Sequence, residues 1–467
     1  MRKKLKSSIV AIILLAFLYT PVFAADSLRV LSQESFLGIV RLYHPVVKQA
    51  GLMVERAKAN VLQARGAFDP MLNADLDRKT FDGKLYYSYL NPQLTIPTWY
   101  GLELKAGLEE ILGTRTSSEL TVGQTSYAGA KLNANNIFFD KRRAVLRQAQ
   151  VMRRQSEAEQ RLMINDLLYD AVSAYWNWVR EYQNYKILTN VIAVNEERFR
   201  LLRLEYEQGS RPAIDTTEAL AQLQNFYLQQ NASYVAFQNA GLELSNYLWL
   251  ENNTPTLWDN TIIPDTSELS TPINTPSLNS MLQAANTHPK LETIGFKLDV
   301  LQIERKLKAQ YLLPKMSVNA NILNKGYNLP PEITTPFLEN NHKIGFDFSM
   351  PLLLREARGG YRAAGIKISE TRLEQSNIAL QIENKVKSYY NETLALQQQV
   401  AIFSDAYINY QKLFYGEKIR FDVGESSLFL LNSRENKMLE TAQKLVELKA
   451  KLYKNYAGLI WSAGQLR

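Results

Sequence analysis

The sequence predicts a mainly α fold with a smaller β part: long coiled-coil helices joined to a membrane β-barrel wall, laid out as two copies of one module. Three observations predict it. The stretch Lys141 to Tyr206 has no Pro or Gly, and Tyr361 to Phe421 has only Gly365 and Gly416. Shorter segments near them alternate apolar and polar residues with a period of two, as a strand with two unlike faces does. The same order of helix, strands, long helix, turn and helix is legible twice along the chain, which points to an internal duplication.

The chain begins with a secretory signal pattern. Arg2, Lys3, Lys4 and Lys6 precede an apolar run of 11 residues, Ile9 to Tyr19, which is too short to cross a bilayer as a helix. Val22-Phe23-Ala24 places small residues for cleavage, so residues 1–24 are expected to be removed. The count of 54 Lys+Arg against 46 Asp+Glu then falls to 50 against 46, and the basic balance gives no reason to expect nucleic acid. No later run reaches the roughly 18 apolar residues that a membrane helix needs. There is no Cys, hence no disulfide, thiolate metal site or lipidated N-terminal Cys. The 3 His are far apart in sequence, so no metal or cofactor is expected.

The first repeat spans residues 25–250 and the second 278–467. His44-Pro45 recurs as His288-Pro289 at an offset of 244, which also carries Phe68-Asp69-Pro70 onto Leu312-Leu313-Pro314. Farther on the offset is 215, carrying Ser173 and Tyr175 onto Ser388 and Tyr390, and Tyr206–Gly209 onto Phe421–Gly424. The first copy therefore holds extra residues between Pro70 and about Asn136. The linker 251–277 contains Pro255, Pro264, Pro272 and Pro276 and cannot be one helix. Pro45 and Pro289 suit a first helical turn, and His44 and His288 are read as local structure rather than ligands.

Strands are expected over about 71–135 and 315–351. Leu72, Ala74 and Leu76 alternate with Asn73, Asp75 and Asp77. Leu102 to Leu108, Ala130 to Ala134, Met316 to Ile322 and Ile344 to Met350 alternate in the same way. One apolar and one strongly polar face fits a wall with lipid outside and water inside. Tyr86, Tyr87, Tyr89, Trp99, Tyr100 and Tyr127 are read as an interfacial girdle. Four to six strands per chain fall short of the eight or so with which barrels begin, so the chain must close its barrel with copies of itself. Residues about 80–126 hold room for an added hairpin.

The long helices carry seams at 3-4 spacing. One runs Tyr185, Leu188, Ile192, Asn195, Phe199, Leu202 and Tyr206; its counterpart runs Val400, Phe403, Tyr407, Tyr410, Phe414, Glu417 and Phe421. Such a period implies left-handed helix pairs. After each turn the pattern resumes, at Ala213, Thr216, Leu220, Leu223, Tyr227, Gln230, Tyr234, Phe237, Gly241 and Leu244 and again from Leu428 to Leu459. Gly209 and Gly424 stand where a left-handed helix cap favours Gly.

With its two tip motifs, the chain resembles the TolC-like outer-membrane efflux protein family. Arg420-Phe421-Asp422-Val423-Gly424 is similar to the family's Arg-x-x-x-Gly tip, and Gly209 followed by Asp215 and Glu218 to its Gly-then-acid spacing. The likeness runs over essentially the whole mature chain. It implies a homotrimer in the bacterial outer membrane, with a trimeric 12-stranded transmembrane β-barrel and a helical tunnel in the periplasm. It implies as partners a periplasmic adaptor protein, an inner-membrane pump of the RND, ABC or MFS class, and outer-membrane lipid. Gly209, Asp215, Glu218, Leu430 and Leu431 are then expected at the periplasmic gate, and Arg420 and Gly424 at the adaptor contact. Glu205 stands where the first tip would have the Arg of the motif. Leu430 and Ser433 stand where many members have acids, which implies a more apolar constriction.

The expected function is a passive conduit that exports small molecules or proteins and opens when its tips splay. A structural or adhesive coiled-coil protein without a channel is the alternative. The chain has no Gly-rich phosphate loop, Gly-x-Ser-x-Gly, His-Glu-x-x-His or Cys nucleophile, so no enzyme is expected.

Overall fold

A computed structural model describes residues 29–113, 121–327 and 341–466; the expected signal segment lies outside the described residues. In chain order the elements are β1 (Arg29–Leu31), α1 (Gln33–Tyr43), α2 (Pro45–Arg65), β2 (Met71–Phe81), β3 (Lys84–Pro97), β4 (Leu102–Leu112), β5 (Gly123–Asn133), α3 (Ala134–Phe138) and α4 (Lys141–Glu207). Then follow α5 (Ala213–Ser245), β6 (Ile262–Pro264), α6 (Leu278–Ala285), α7 (Pro289–Gln310), β7 (Lys315–Lys325), β8 (His342–Ser349), α8 (Arg355–Asp422) and α9 (Leu428–Ser462). Among the described residues no helix is long and apolar enough to cross a membrane. The chain divides into two compact units. One gathers the segments up to His44, Asp170–Thr275 and Glu392–Tyr456; the other Pro45–Tyr169, Pro276–Asn391 and Ala457–Arg467.

The second of these units holds a six-stranded antiparallel sheet in the order β2-β3-β4-β5-β7-β8. Over the half nearer the helices its registers keep one apolar face through all six strands, and farther out the same face carries Arg78, Ser88, Glu110 and Gln124. Leu76 faces Leu90, Leu94 faces Ala106, and Leu104 faces Ala130. Ala130 in turn faces Ala320, and Val318 faces Phe346. The other face is mainly polar, with Asp75 opposite Asn91, Glu103 opposite Lys131, Lys131 opposite Asn319 and Ser317 opposite Asp347, and it also carries Tyr89 opposite Ile111 and Tyr127 opposite Leu323. A slip of one residue anywhere would exchange the faces, so the uniform alternation fixes the register.

β3 and β4 supply the added hairpin for which the extra residues leave room. β3 escapes a pattern search because Pro92 interrupts it: the ladder to β4 passes from Leu90–Glu110 to Gln93–Gly107. The expected aromatic girdle is corrected in part. Tyr87, Tyr89 and Tyr127 lie on the polar face, paired across strands with Lys79, Asp77 and Gly107. Tyr127 donates to Asn91 at 3.0 Å and its ring occupies the space a Cβ at Gly107 would need. Trp99, in the β3–β4 turn, stacks on Phe68 at 4.6 Å.

Helical packing in this unit follows the apolar stripes. Val61 and Ala64 of α2 meet Leu146 and Ala149 of α4, and Leu298 and Leu301 of α7 meet Ile368 of α8. Pro289 stands in the first turn of α7, where its missing N–H leaves nothing unpaired. His288 caps that helix: its Nδ1 accepts from the Lys290 N–H at 3.1 Å. Burial pushes the imidazole below its ordinary range.

The other unit is built on aromatic residues. Tyr175, Trp176 and Trp178 of α4 are nearly inaccessible, and Phe36, Phe237 and Trp258 surround them. Tyr175 donates to the Leu31 carbonyl, which ties β1 to the helices, and burial pushes its hydroxyl pKa up. Gly241 lies against the Trp258 ring, with no room for a side chain.

The seams of α4, α8 and α9 follow the expected registers except at Tyr206, which is 47% exposed. On α5 the buried row is Ala219, Leu223, Phe226, Phe237, Ala240 and Leu244. The expected Leu220, Tyr227 and Tyr234 are over a third exposed. The two rows share Leu223, Phe237 and Leu244, together with the buried Gly241, and aromatic content alone favours the wrong neighbours. Tyr227 instead donates to Glu196, and Tyr234 packs on Tyr185.

Because His288 is held neutral, the unfolded chain takes up a proton that the folded chain resists. Stability from this site is present above the ordinary value of 6.5 and is lost as pH falls from there towards the lowered folded pKa. His288→Asn, which keeps a capping acceptor, is expected to flatten this acid limb in denaturation midpoints measured across that window.

Candidate functional site

The tips of the two helical hairpins lie within one unit, and both turns are closed in the same way. Gly209 has φ +73° and Gly424 φ +81°, a region that favours glycine. The Ser210 N–H bonds the Glu205 carbonyl at 2.8 Å, and the Glu425 N–H bonds the Arg420 carbonyl at 2.8 Å. Each is the six-to-one bond that ends a helix on a left-handed residue.

An apolar cluster holds the two hairpins together: Leu202, Ala219, Phe414, Phe421, Leu428 and Leu431, flanked by Phe199 and Met438. Leu431 is only 1% exposed, so it packs inside this chain. Leu430 is half-buried. Phe429, 71% exposed, and Val423, 67% exposed, are apolar side chains that the turn presents.

Around the cluster runs a polar network. Arg198 makes a two-pronged contact with Glu435, Nη1 to Oε2 at 2.7 Å and Nη2 to Oε1 at 2.9 Å. Both side chains are nearly buried. Arg198 also donates to Asn195 at 2.9 Å and to Asn432 at 3.5 Å. Asn432 in turn donates to Glu218 at 3.1 Å. Arg211 lies 4.5 Å above the Phe421 ring, bonds Glu205 at 3.2 Å and approaches Asp215 at 3.7 Å. Its Nη2 donates to the Phe421 carbonyl at 3.4 Å. One Arg therefore bridges the first tip to the end of α8.

The structure thus brings Asp215 and Glu218 into intramolecular contacts. Arg420, exposed, lies 3.8 Å from the buried Glu417, which accepts from Ser426 at 2.5 Å and faces Arg434 at 3.9 Å. A cleft of about 540 Å³ opens beside this network, lined by Val194, Leu201, Glu205, Arg211, Lys418 and Phe421. Arg198, Arg211, Glu417 and Glu435 are the residues a motif search misses. Their signal is present all the same: Asn195, Glu417 and Glu435 occupy apolar seam positions, where a polar side chain demands a buried partner. Among the described residues no group of three or more His, Asp or Glu is placed to hold a metal ion.

No protein-family model matches the sequence, and no characterised protein matches it by sequence. Solved structures do match. The outer membrane channel CmeC of Campylobacter jejuni superposes with a TM-score of 0.65 at 14% identity, over 93% of this chain and 86% of that one. The MtrE outer membrane channel of Neisseria gonorrhoeae, in its open state, gives 0.68 at 12% identity, over 93% and 89%. The outer membrane protein VceC of Vibrio cholerae gives 0.64 at 14% identity, over 92% and 96%. The chain has the fold of these outer-membrane channels, as the TolC-like resemblance implies.

Removing one partner of the Arg198–Glu435 pair strands a buried charge. Arg198→Ala is expected to lower stability by about 3–5 kcal/mol. Replacing both by Met and Leu is expected to cost much less, as measured by denaturant unfolding.

Proposed function

We propose that this protein is a passive outer-membrane channel-tunnel, exporting solutes or proteins from the periplasm. The sheet carries the proposal. Over the half nearer the helices one face is apolar across all six strands, with Arg78 and Glu110 only at its far end, while the opposite face is lined mainly by Asn, Asp, Glu, Lys and Tyr. That asymmetry suits lipid on one side and water on the other. The fold shared with the outer-membrane channels supports the same reading.

The barrel closes between copies. Among the described residues β2 and β8 are the outer strands of the sheet, and each pairs on one side only. An open edge is not tolerated in hydrocarbon, so β2 of one copy joins β8 of the next. Six strands from each of three copies make eighteen rather than the twelve of the family pattern. A second feature favours self-assembly. Ile214, Leu228, Val235 and Leu242 of α5, at intervals that are multiples of seven, are all more than half exposed. A row with that period is a coiled-coil seam awaiting a helix.

The helical tips act as the gate. The Arg211 and Arg198 networks hold the two hairpins of one chain together, and opening requires them to part as a shift between two packed states. Gly209, Asp215, Glu218 and Leu430 lie on the moving turns, and Leu431 in the cluster that anchors them. Arg420, Gly424 and the cleft beside Phe421 are the contact for a periplasmic adaptor, which links the channel to an inner-membrane pump. The pump selects the cargo.

Two experiments test this. In planar bilayers the protein is expected to show small, mostly closed conductance, and Arg211→Ala to raise the open fraction several-fold. Asp215→Asn with Glu218→Gln is expected to weaken cation preference, and unchanged selectivity would remove both from the pore. Closure is tested by cysteines placed in a chain that has none. Pairs scanned along β2 and β8, beginning with Asp75→Cys and Gly345→Cys, are expected to yield covalent trimers on oxidation. A monomer at every register would refute closure by these edges.

A further inference from the structure

The helical end of the sheet is strongly basic. Four segments of one unit lead into or out of it there: residues 60–70, 136–150, 302–316 and 351–362. Together they carry twelve Lys and Arg against four acids, Asp69, Asp140, Glu304 and Glu356, and Glu103 at the start of β4 pairs with Arg142 at 3.1 Å. Asp140 is already engaged, with Arg143 at 3.1 Å and Arg142 at 3.6 Å. Arg65, Lys141, Lys315, Arg355, Arg358 and Arg362 are exposed. Others are held upright over rings, Arg147 and Lys306 on Phe139 and Arg305 on Tyr361.

The same end is also apolar. Leu352 is 96% exposed and Leu353 62%, directly after β8. Phe138 is 75% exposed after β5, and Trp99 51% exposed between β3 and β4. These residues lie just beyond the ends of the strands at this end of the sheet. Aromatic and Leu side chains beside a row of Lys and Arg match a membrane–water boundary, with acyl chains above and phosphates below.

We propose that this collar binds the anionic phospholipid headgroups of the periplasmic leaflet, and that it sets how deeply the sheet sits in the bilayer. The apolar residues enter the acyl boundary. The Lys and Arg take the phosphate oxygens, with Arg in the two-pronged geometry that suits them. The proposal rests on the membrane reading given above.

Trp99 reports on it directly. The full chain is reconstituted in phosphatidylcholine vesicles containing brominated phosphatidylglycerol or brominated phosphatidylcholine, and the Trp99 signal is isolated by subtracting a Trp99→Phe control. Brominated phosphatidylglycerol is expected to quench at an about three- to tenfold lower mole fraction. The preference is expected to vanish near about 1 M salt, where screening acts over about 3 Å. It is also expected to shrink in Arg355→Gln/Arg358→Gln/Arg362→Gln and in Lys141→Gln/Lys315→Gln. The salt arm uses the unaltered protein and does not depend on the variants folding. Equal quenching by the two lipids overturns the collar and leaves the membrane reading standing. That is also the outcome if the collar instead meets acids of a neighbouring copy. Absence of quenching by either lipid overturns both.

Discussion

A sheet that is apolar on one face and polar on the other must find two different solvents, and its outer strands must find partners. Among the described residues, β2 and β8 each bear a row of backbone N–H and C=O groups on one side that no strand meets. In water such edges are satisfied by solvent at small cost. Beside hydrocarbon each unmet group costs several kcal/mol, and a row of them rules out a solitary sheet. The proposed closure between copies therefore rests on the backbone, independently of side-chain detail. The extra hairpin widens the wall each copy contributes but leaves its polarity unchanged, because β3 and β4 keep the same alternation.

The helical unit solves a different problem. A tip that only packed apolar residues would be stable but would have one lowest state. Here the cluster around Leu202, Phe421 and Leu431 is ringed by ion pairs and amides. Buried pairs of this kind add little net stability over apolar packing, yet they are costly to mismatch. That combination suits a gate, which needs a well-defined closed state and an opening cost that a partner can offset. Arg211 is central, since it touches a carboxylate pair on its own hairpin and both the ring and the carbonyl of Phe421 on the other.

The basic collar connects the membrane reading to the distribution of charge along the chain. Twelve of the chain's Lys and Arg lie in segments that adjoin one end of the sheet, while its apolar face is nearly free of charge. A modest net charge therefore hides a strong local one. The helix starts of α4 and α8 put basic residues where a helix dipole would favour acids. That placement is what the proposed phosphate contacts at the membrane boundary would use, and the helices themselves do not call for it.

The sequence by itself determined the element types. Periods of two and of 3.5, the glycines at 209 and 424 and the prolines at 45 and 289 act through local sterics and hydrogen bonding, which neighbouring residues specify. It also marked where the tip network would be, through Asn195, Glu417 and Glu435 at apolar seam positions, without showing which residues answer them. Tertiary structure alone decided that Arg198 pairs with Glu435 across 237 positions, that Asp215 and Glu218 turn into contacts within the chain, and that Leu431 is core. It also chose Phe226 over Tyr227 for the α5 seam, and placed Tyr127 over Gly107 on the polar face. The physical reason is common to all of these. A helix or strand shows its faces through its period, but which face meets which partner depends on residues hundreds of positions away, and only packing brings them within reach.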